Sequence, residues 1–496
     1  MNVLDSLLAS GSRVGGHYPW PCSAVDQTAW QYAITRLTAG EITLLSLWGE
    51  VGRAHMALLA EADDPPIIVL SLDCPDGRYP SVGQAHAPAI RLERAMRDLF
   101  GLEPVGLPDT RPWLDHGRWG DATPDAASYP FLPVDGDGLH QIPVGPVHAG
   151  TIEPGHFRFT AEGETVVRLE ERLGYAHKGI DALLAGAQIG RAGQIVARTS
   201  GDSTVAYGLG FACAVEVALG IQPPTRAVWL RAVMAEMERI ANHFGDFGAI
   251  CNDASFSIML AHCAVLRERV LRAAFTCFGH RLMMDRIVPG GVKADLNGER
   301  VALLRDLVTV LGSTFEPLVA LYDKTASLQD RTVSTGILKP ELARRFGAGG
   351  FVGRASGRDF DARRRPGYAP YDVLDFDIPV LTEGDVNARA WIRVHEIRAS
   401  LKLLEQLLSR LPSGPVMVSL EQAFAGPAEG MALIEAFRGD LMVWLRIVEG
   451  RIDRCHLRDA SWFQWPLLEA VIEGNIVADF PLCNKSFNCS YSGHDL

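Results

Sequence analysis

The sequence predicts an α+β protein in which a small N-terminal α/β domain precedes a mainly helical domain, a long-helix bundle with peripheral β-hairpins. Short β-prone apolar runs occur near the start and are separated by turn residues. Four later segments place apolar residues three and four positions apart, which is typical of long amphipathic helices. These segments are 225–247, 259–284, 300–322 and 386–411.

The first 120 residues have the pattern of the α/β domain. Residues 42–48 and 67–72 are apolar and β-prone, and the Asp-Asp-Pro-Pro run at 63–66 breaks the chain between them. Residues 87–100 have helical spacing, and Gly101 is expected to end the helix. The pattern predicts two strands followed by a helix.

A connector and a second domain follow. Residues 103–142 are rich in proline, glycine and aspartate, and we place the boundaries at 1–120, 121–142 and 143–496. Two hairpins are predicted in the second domain, at 156–160 with 165–169 and at 441–448 with 451–458. A short helix at 467–472 leads into the tail. The tail, residues 479–496, holds two cysteines, three aromatic residues and a lysine, and its composition favours burial over solvation.

Composition excludes several classes of protein. The chain has 496 residues and a net charge of −12, which argues against a general nucleic-acid binder. Nine cysteines contain no CxxC pair, so neither a disulfide framework nor a zinc ribbon is predicted. Residues 1–5 lack the basic start of a signal peptide. The longest apolar stretch, 206–221, is shorter than a membrane span and contains Glu216. We therefore expect a cytoplasmic protein or one peripheral to a membrane.

Five polar clusters rich in glycine, histidine and arginine are candidates for chemistry. They are 145–156, 173–179, 198–203, 354–357 and 383–385. Each also has a structural explanation, because Gly-Pro segments form turns and Arg/Asp pairs form salt bridges. Asp385 fits a helix N-cap. The sequence has no GxSxG, no Walker A motif and no GxGxxG after a strand, so it predicts neither a hydrolase triad nor a nucleotide site.

In this order, the clusters resemble the large subunit of energy-converting (group 4) [NiFe] hydrogenases of the formate hydrogenlyase and hydrogenase-4 type. They also resemble its relative in respiratory complex I, the 49-kilodalton quinone-site subunit. The matching stretches are 145–148, 153–159, 173–179, 236–243, 252–253, 288–292, 354–357 and 383–385, with Arg389, Arg393 and Glu396. The N-terminal domain resembles the 30-kilodalton complex I subunit through 79–81, 93–94 and 98–101. The resemblance therefore implies a fusion of the two subunits.

The resemblance also locates a metal site and shows which ligands have been lost. Hydrogenases of this type hold nickel and iron with four cysteine thiolates from two CxxC motifs, and hydroxyls do not replace soft thiolates. The positions that correspond to those ligands are occupied by Ser200, Ser203, Cys483 and Ser486. We therefore expect no metal and no nickel–iron centre. The chain ends ten residues beyond Ser486, so we expect no C-terminal extension to be removed.

The quinone site of the complex I branch is also incomplete. The resemblance implies a quinone-like pocket with His148, Tyr175 and His177, but a second histidine of that branch is replaced by Ile152 and a tyrosine by Gly201. Four charged residues should converge with the serines as the catalytic constellation. They are Arg198, Asp202, Lys485 and Asp479. Such a cluster is structural, a proton relay or redox trigger, or the site of an unrecognised ligand.

The resemblance implies a soluble-arm subunit of a membrane-bound, complex I-like oxidoreductase, located on the cytoplasmic face of the cell membrane. Its partners would be a small [4Fe-4S] subunit and antiporter-like membrane subunits, with quinone or ferredoxin as a redox partner. Electron transfer at the partner's cluster would be coupled to ion translocation, and this chain would bind no cofactor itself. The alternatives are a hydrogenase with altered ligands that include Cys483 and Cys489, a quinone-reducing subunit, or a non-catalytic scaffold.

Overall fold

Strands are concentrated in the first 172 residues and in residues 428–458, and long helices lie between them. The computed structural model describes residues 2–61, 63–117, 119, 129–149, 152–420 and 426–496. The helices are α1 (Val3–Ala9), α2 (Gln27–Thr38), α3 (Ile90–Phe100), α4 (Ile180–Leu184), α5 (Ile189–Val196), α6 (Thr204–Leu219), α7 (Thr225–Asp253), α8 (Ser257–Phe278), α9 (Gly298–Lys324), α10 (Ala326–Thr332), α11 (Pro340–Arg345), α12 (Gly350–Arg354), α13 (Val386–Ser409), α14 (Ser461–Ile472), α15 (Phe480–Phe487) and α16 (Tyr491–Asp495). The strands are β1 (Ser12–Val14), β2 (His17–Tyr18), β3 (Cys22–Val25), β4 (Thr43–Glu50), β5 (Arg53–Leu59), β6 (Ile67–Asp73), β7 (Arg78–Pro80), β8 (Glu103–Val105), β9 (Leu139–Val144), β10 (His156–Glu162), β11 (Thr165–Arg172), β12 (Ile287–Val288), β13 (Gly291–Val292), β14 (Ala428–Ala436), β15 (Gly439–Val448) and β16 (Arg451–Arg458).

The N-terminal sheet has the strand order β1-β3-β6-β5-β4. The two predicted strands are confirmed as β4 and β6. Strand β5 was not predicted; it follows directly after Gly52, whose φ of 74° closes the turn from β4. The predicted helix is confirmed as α3, preceded by one 3₁₀ turn, and it ends at Gly101 in the left-handed conformation.

A second sheet, of order β16-β15-β14-β2, joins the two ends of the chain. The predicted hairpin is confirmed as β15 and β16. Strand β14 was not predicted, and β2 pairs with it in parallel, with His17 opposite Glu429. The N-terminal and C-terminal parts therefore share one sheet.

The predicted connector is only partly described. Residues 121–128 lie outside the described residues. Residues 139–142 belong to β9, which pairs with β10 next to the confirmed β10–β11 hairpin, so this part of the connector is a sheet strand instead. The connector prediction missed β9 because proline and glycine dominate its surroundings. The division of the chain into domains stays a prediction.

The four predicted long helices are confirmed as α7, α8, α9 and α13, with small differences at their ends. Helix α8 ends before the predicted residue 284, because Gly279 caps it with a φ of 75°. Asp385 is the N-cap of α13 and accepts a hydrogen bond from the Ala388 backbone N–H at 2.7 Å. The polar face of α7 is buried against α13, so this bundle has a charged interior.

Helix α6 packs against the second sheet. Among the described residues, the segment Gly201–Leu219 is long and apolar enough to cross a membrane by length and composition, and 78% of its apolar window is buried inside the chain. It packs on β14 and β15, where Gly210 and Gly430 allow close approach. An added Cβ at Gly430 would lie 1.9 Å from the Ala214 carbonyl oxygen. Helix α6 is therefore a core helix of this fold.

Candidate functional site

The two degenerate cysteine motifs lie at neighbouring helix ends. The first motif occupies the turn before α6, where Gly201–Ser203 form one 3₁₀ turn. The second lies in α15, which packs against α7 and α13. The turn between β14 and β15 carries Arg438, which reaches between the two motifs.

Arg438 and Asp202 form the central ion pair. The guanidinium donates Nη1–H to Oδ1 of the carboxylate at 2.9 Å and Nη2–H to Oδ2 at 2.6 Å. Burial alone raises the pKa of the Asp202 carboxyl, but the charge and hydrogen bonds of Arg438 outweigh it and hold the pKa at about 2. The same pairing raises the pKa of Arg438. Both groups are therefore charged at neutral pH.

The two serines of the first motif belong to this ion pair. The Ser200 hydroxyl donates to Oδ1 of Asp202 at 2.8 Å, and Ser203 donates to the same oxygen at 3.3 Å. Arg438 also donates to the Ser203 hydroxyl at 3.1 Å. The Ser490 and Ser200 hydroxyls lie 3.0 Å apart, which links this motif to the tail. Both hydroxyls at the ligand positions are thus engaged in hydrogen bonds.

Asn488 and Asp246 extend the network from Arg438. Arg438 Nε donates to the Asn488 carbonyl at 2.6 Å, and the Asn488 side-chain amide donates to Asp246 at 2.9 Å. Asp246 also accepts from Arg393 Nε at 3.3 Å. Arg393 in turn donates to the Ser486 carbonyl at 2.7 Å. A continuous chain of hydrogen bonds therefore joins the first motif to the second.

Arg389 occupies the second motif. Its Nε donates to the Ser486 hydroxyl at 2.9 Å, and that hydroxyl donates to the Cys483 carbonyl at 2.6 Å. Burial raises the pKa of the Cys483 thiol to about 12, although Arg389 opposes the shift. Gly336 is needed opposite the thiol, because an added Cβ there would lie 2.6 Å from Cys483 Sγ. Each motif is thus paired with an arginine.

Two of the predicted catalytic residues lie elsewhere. Arg198 follows the end of α5 and points outward, where its guanidinium binds both carboxylate oxygens of Asp285 at 2.7 Å. Asp479 lies ahead of α15 and pairs with Arg331 at 3.3 Å. The predicted convergence with the serines is therefore wrong for Arg198. Asp479 pairs with Arg331 and not with the serines, but besides burial its charge contributes to the raised pKa of the Cys483 thiol in the second motif. Of the predicted acids, only Asp202 lies in the network with the serines.

Lys485 lies on a different face of α15, in a cavity of about 180 Å³. Asp253, at the end of α7, lines the same cavity, and the Lys485 charge opposes the rise in the Asp253 pKa that burial causes. Cys489 and Tyr491 form part of its wall. The cavity is mostly apolar with one cation and one carboxyl group, so it suits a small molecule with a polar end.

Of the three predicted quinone-pocket residues, one lines this cavity. His148 does so, and its Nε2 lies 2.8 Å from the Gly155 carbonyl oxygen. Tyr175 packs edge-on against His116 instead, and His177 Nδ1 lies 2.7 Å from the Asp495 carbonyl oxygen. The resemblance implied one pocket for these residues, but the tail helix α16 contacts the segment of Tyr175 and His177 through Asp495.

Most of the tail is buried, as its composition predicted. The Asp495 carboxylate accepts the Ala176 backbone N–H at 2.9 Å, and the Leu496 carbonyl accepts from Lys178 N–H at 2.6 Å. His494 stacks on Trp462 with ring centroids 4.1 Å apart. These contacts fix α16, and thereby Ser490, beside the first motif.

Sequence reasoning missed Arg438, Asn488 and the role of Asp246. Arg438 lies 236 positions from Asp202 in a turn that resembles any hairpin turn, so no local signal marked it. Asp246 was visible on a polar helix face, but only packing against α13 shows that this face is buried. Among the described residues, no group of three or more histidine, cysteine, aspartate or glutamate side chains could hold a metal ion.

Known proteins resemble this chain in both sequence and fold. Residues 253–431 match the family described as the respiratory-chain NADH dehydrogenase 49 Kd subunit. Formate hydrogenlyase subunit 5 of Escherichia coli (strain K12) is 31% identical over 451 residues, covering 86% of this chain and 78% of that protein. An NADH-quinone oxidoreductase subunit of Roseiflexus sp. (strain RS-1) is 33% identical over 353 residues, covering 68% and 94%. A chain of the membrane-bound sulfane sulfur reductase, an archaeal respiratory membrane complex, aligns with a TM-score of 0.69 and 26% identity, covering 74% of this chain and all of that one.

The fold and these relatives define a subunit of a membrane-bound, complex I-like oxidoreductase. The chain belongs to the family that unites the large subunits of formate hydrogenlyase and hydrogenase-4 with the complex I 49-kilodalton subunit. The resemblance and the α+β fold class predicted from the sequence are confirmed.

The donor set of this chain does not fit the nickel–iron centre of the hydrogenase branch. That centre needs soft thiolates, whereas three of the four ligand positions here carry hydroxyls engaged with Asp202, Arg438 or Arg389. The guanidinium groups of Arg438 and Arg389 lie against these hydroxyls, where they would repel a metal cation. No step proposed for this chain therefore involves a nickel–iron centre.

Proposed function

We propose that this chain is the soluble-arm subunit of a complex I-like oxidoreductase that works without a nickel–iron centre. It would lie on the cytoplasmic face of the membrane, against a small [4Fe-4S] subunit and antiporter-like membrane subunits. Electron transfer at the partner's cluster, with quinone or ferredoxin as a redox partner, would be coupled to ion translocation. This chain would contribute a charged, metal-free site and bind no cofactor.

The observation that carries the proposal is the pairing of Asp202 with Arg438 between two serines at ligand positions. Where relatives of the hydrogenase type need thiolates, this chain has an ion pair in a network that continues through Asp246 to Arg393. Such a network is already charge-balanced, so it has no need of a metal. It responds to a change of charge nearby by moving protons or by changing partners.

Lys485 and Asp253 give the site a second part that could respond to a redox change. Both line the 180 Å³ cavity together with His148, and no salt bridge within 4.0 Å ties Lys485 to a carboxylate in the described part of the chain. A reduced cluster in a partner subunit would add negative charge, which attracts the Lys485 cation. The proposed role of Lys485 is to supply a positive charge that stabilises the reduced state of the complex.

Metal analysis of the purified complex tests the proposal. We expect iron from the partner's cluster, nickel well below one atom per chain, and electron transfer that persists without hydrogen uptake. Stoichiometric nickel together with hydrogen uptake would overturn the proposal and favour a hydrogenase with altered ligands. Ion translocation is tested separately, by reconstituting the complex in vesicles and recording an ion gradient during electron transfer.

Two variants separate the proposed role from a scaffold. Asp202→Asn removes the charge at the centre of the network, and Asp285→Asn removes the matched carboxylate of the exposed pair with Arg198. We expect the first to slow electron transfer in an assembled complex and the second to leave it unchanged. If both variants assemble and transfer electrons at the rate of the unaltered complex, the chain is a scaffold. A quinone-analogue photolabel attached near His148 would instead favour a quinone-reducing subunit.

A further inference from the structure

A separate cavity of about 310 Å³ lies between the N-terminal part of the chain and the helical bundle. Trp20 reaches it from the loop after β2, and α6 contributes Cys213 and Val217. The parallel pairing of β2 with β14 sets these elements side by side. Exposed residues such as Pro19 and Gln222 form part of its lining, so it opens to solvent. Small-molecule sites are often of this size and favour the junction of two structural units.

The charges in this cavity cancel each other. Arg231 donates to both carboxylate oxygens of Glu216, at 2.9 Å and 2.5 Å, and both side chains are buried. Glu216 also accepts from the Gly290 backbone N–H at 2.7 Å, and Arg231 donates to the Val288 carbonyl at 2.8 Å. The opposite charges of Arg231 and Glu216 cancel, and their remaining hydrogen bonds go to backbone groups. The pair therefore offers no net charge to an ionic ligand.

The remaining lining is aliphatic and aromatic. Leu209, Val217 and Leu433 supply alkyl surface, and Trp20 supplies a ring. The Tyr371 hydroxyl points away into the bundle, where it donates to Glu236 at 2.7 Å, which leaves the apolar ring as its contribution to the cavity. Water finds few hydrogen-bond partners on these apolar walls, whereas an apolar ring packs favourably against them.

We propose that this cavity is a binding site for a small, uncharged molecule built around an apolar ring system. It lies apart from the Asp202–Arg438 network and is independent of the proposed function. A ligand here contacts both the N-terminal part and the bundle, so its binding stabilises their association by mass action.

The neutral ring dye Nile red serves as the probe, and its fluorescence titration with the full chain is the measurement. We expect one dye per chain, with affinity at least tenfold weaker in Val217→Phe, which fills the cavity, and retained in Val217→Ala, which enlarges it. Leu219→Phe is the control, because Leu219 lies on the same helix outside the cavity lining. Equal binding by Val217→Phe and the unaltered chain overturns the proposal.

A second measurement uses the unaltered chain and needs no variant to fold. All nine cysteines lie in the described part of the chain, where Cys213 is half-buried and the other eight are buried. We expect Nile red to slow alkylation of Cys213 by iodoacetamide at pH 9 at least fivefold, as followed by mass spectrometry of the Cys213 peptide. An alkylation rate that the dye leaves unchanged overturns the proposal.

Discussion

The Arg438 guanidinium holds both oxygens of the Asp202 carboxylate, at 2.9 Å and 2.6 Å, across 236 positions of the chain. This pair lies between the two motifs, 198–203 and 483–486, that the resemblance matches to metal-ligand positions. Four predictions concern the pair, its surroundings and the neighbouring cavity.

Replacing Arg438 with methionine leaves the Asp202 carboxylate without its cation. Removing one partner of a fully buried pair costs about 3–5 kcal/mol. Asp202 keeps 34% of its side chain exposed, so we expect a smaller loss of about 2 kcal/mol in the free energy of unfolding, measured with urea. The double variant R438M/D202N should recover part of this loss, because it removes the unpaired charge.

Arg198→Met is the control for this prediction. It breaks an ion pair of similar bidentate geometry with Asp285, but that pair lies at the surface. Exposed pairs contribute about 1 kcal/mol or less, so the control should cost clearly less than R438M. Equal losses in the two variants would show that the Asp202–Arg438 pair contributes no more to the free energy of unfolding than a surface ion pair does.

Restoring thiols alone should not restore nickel. The triple variant S200C/S203C/S486C returns sulfur to three ligand positions, but Arg438 and Arg389 remain against them. Because two fixed cations oppose a bound metal, we expect nickel below 0.1 atom per chain, on the order of background, by elemental analysis. Stoichiometric nickel in the triple variant would show that the arginines move aside and do not define the site.

Because the pKa of Glu238 is raised, we predict that the folded protein loses stability as the pH rises. It caps the start of α6 by accepting the Val205 and Ala206 backbone N–H groups, and burial raises its pKa to about 8. An acid whose folded pKa is raised holds its proton more tightly in the folded chain, so stability falls as pH rises from about 4.5 to about 8. The slope from this group is at most about 1.4 kcal/mol per pH unit.

The measurement is urea unfolding at pH 6 and pH 8 for the unaltered chain and for Glu238→Gln. The variant cannot ionise at this position, so its stability relative to the unaltered chain should improve between the two pH values. A difference that does not change with pH would mean that Glu238 is ionised throughout this range.

Lys485→Gln should affect electron transfer without affecting folding. Lys485 is half-buried on α15 and lines the cavity with Asp253, so its removal leaves no close carboxylate unpaired. Under the proposed function we expect at least a fivefold lower rate of electron transfer in the assembled complex. Lys324→Gln, at the exposed end of α9, is the control and should keep the full rate. Unchanged rates in both variants would remove Lys485 from the proposed mechanism.

Much of the fold was available from the sequence because its signals are local. Apolar spacing predicted α7, α8, α9 and α13, and Gly101 and Asp385 marked helix ends through backbone conformation and capping. Strands β5 and β14 have seven and nine residues. They were missed because a strand depends on its partners more than on its own pattern. Strand β9 was missed because proline and glycine dominate its surroundings, which predicted a connector there.

The sequence by itself determined the family, the four long helices and the residues that the resemblance matches to metal-ligand positions, Ser200, Ser203, Cys483 and Ser486. Only the tertiary structure decided what those residues touch. It paired Arg198 with Asp285 and Asp479 with Arg331, introduced Arg438 and joined the two motifs through Asp246 and Arg393. The physical reason is that an ion pair depends on distance in space, and a single sequence records only distance along the chain.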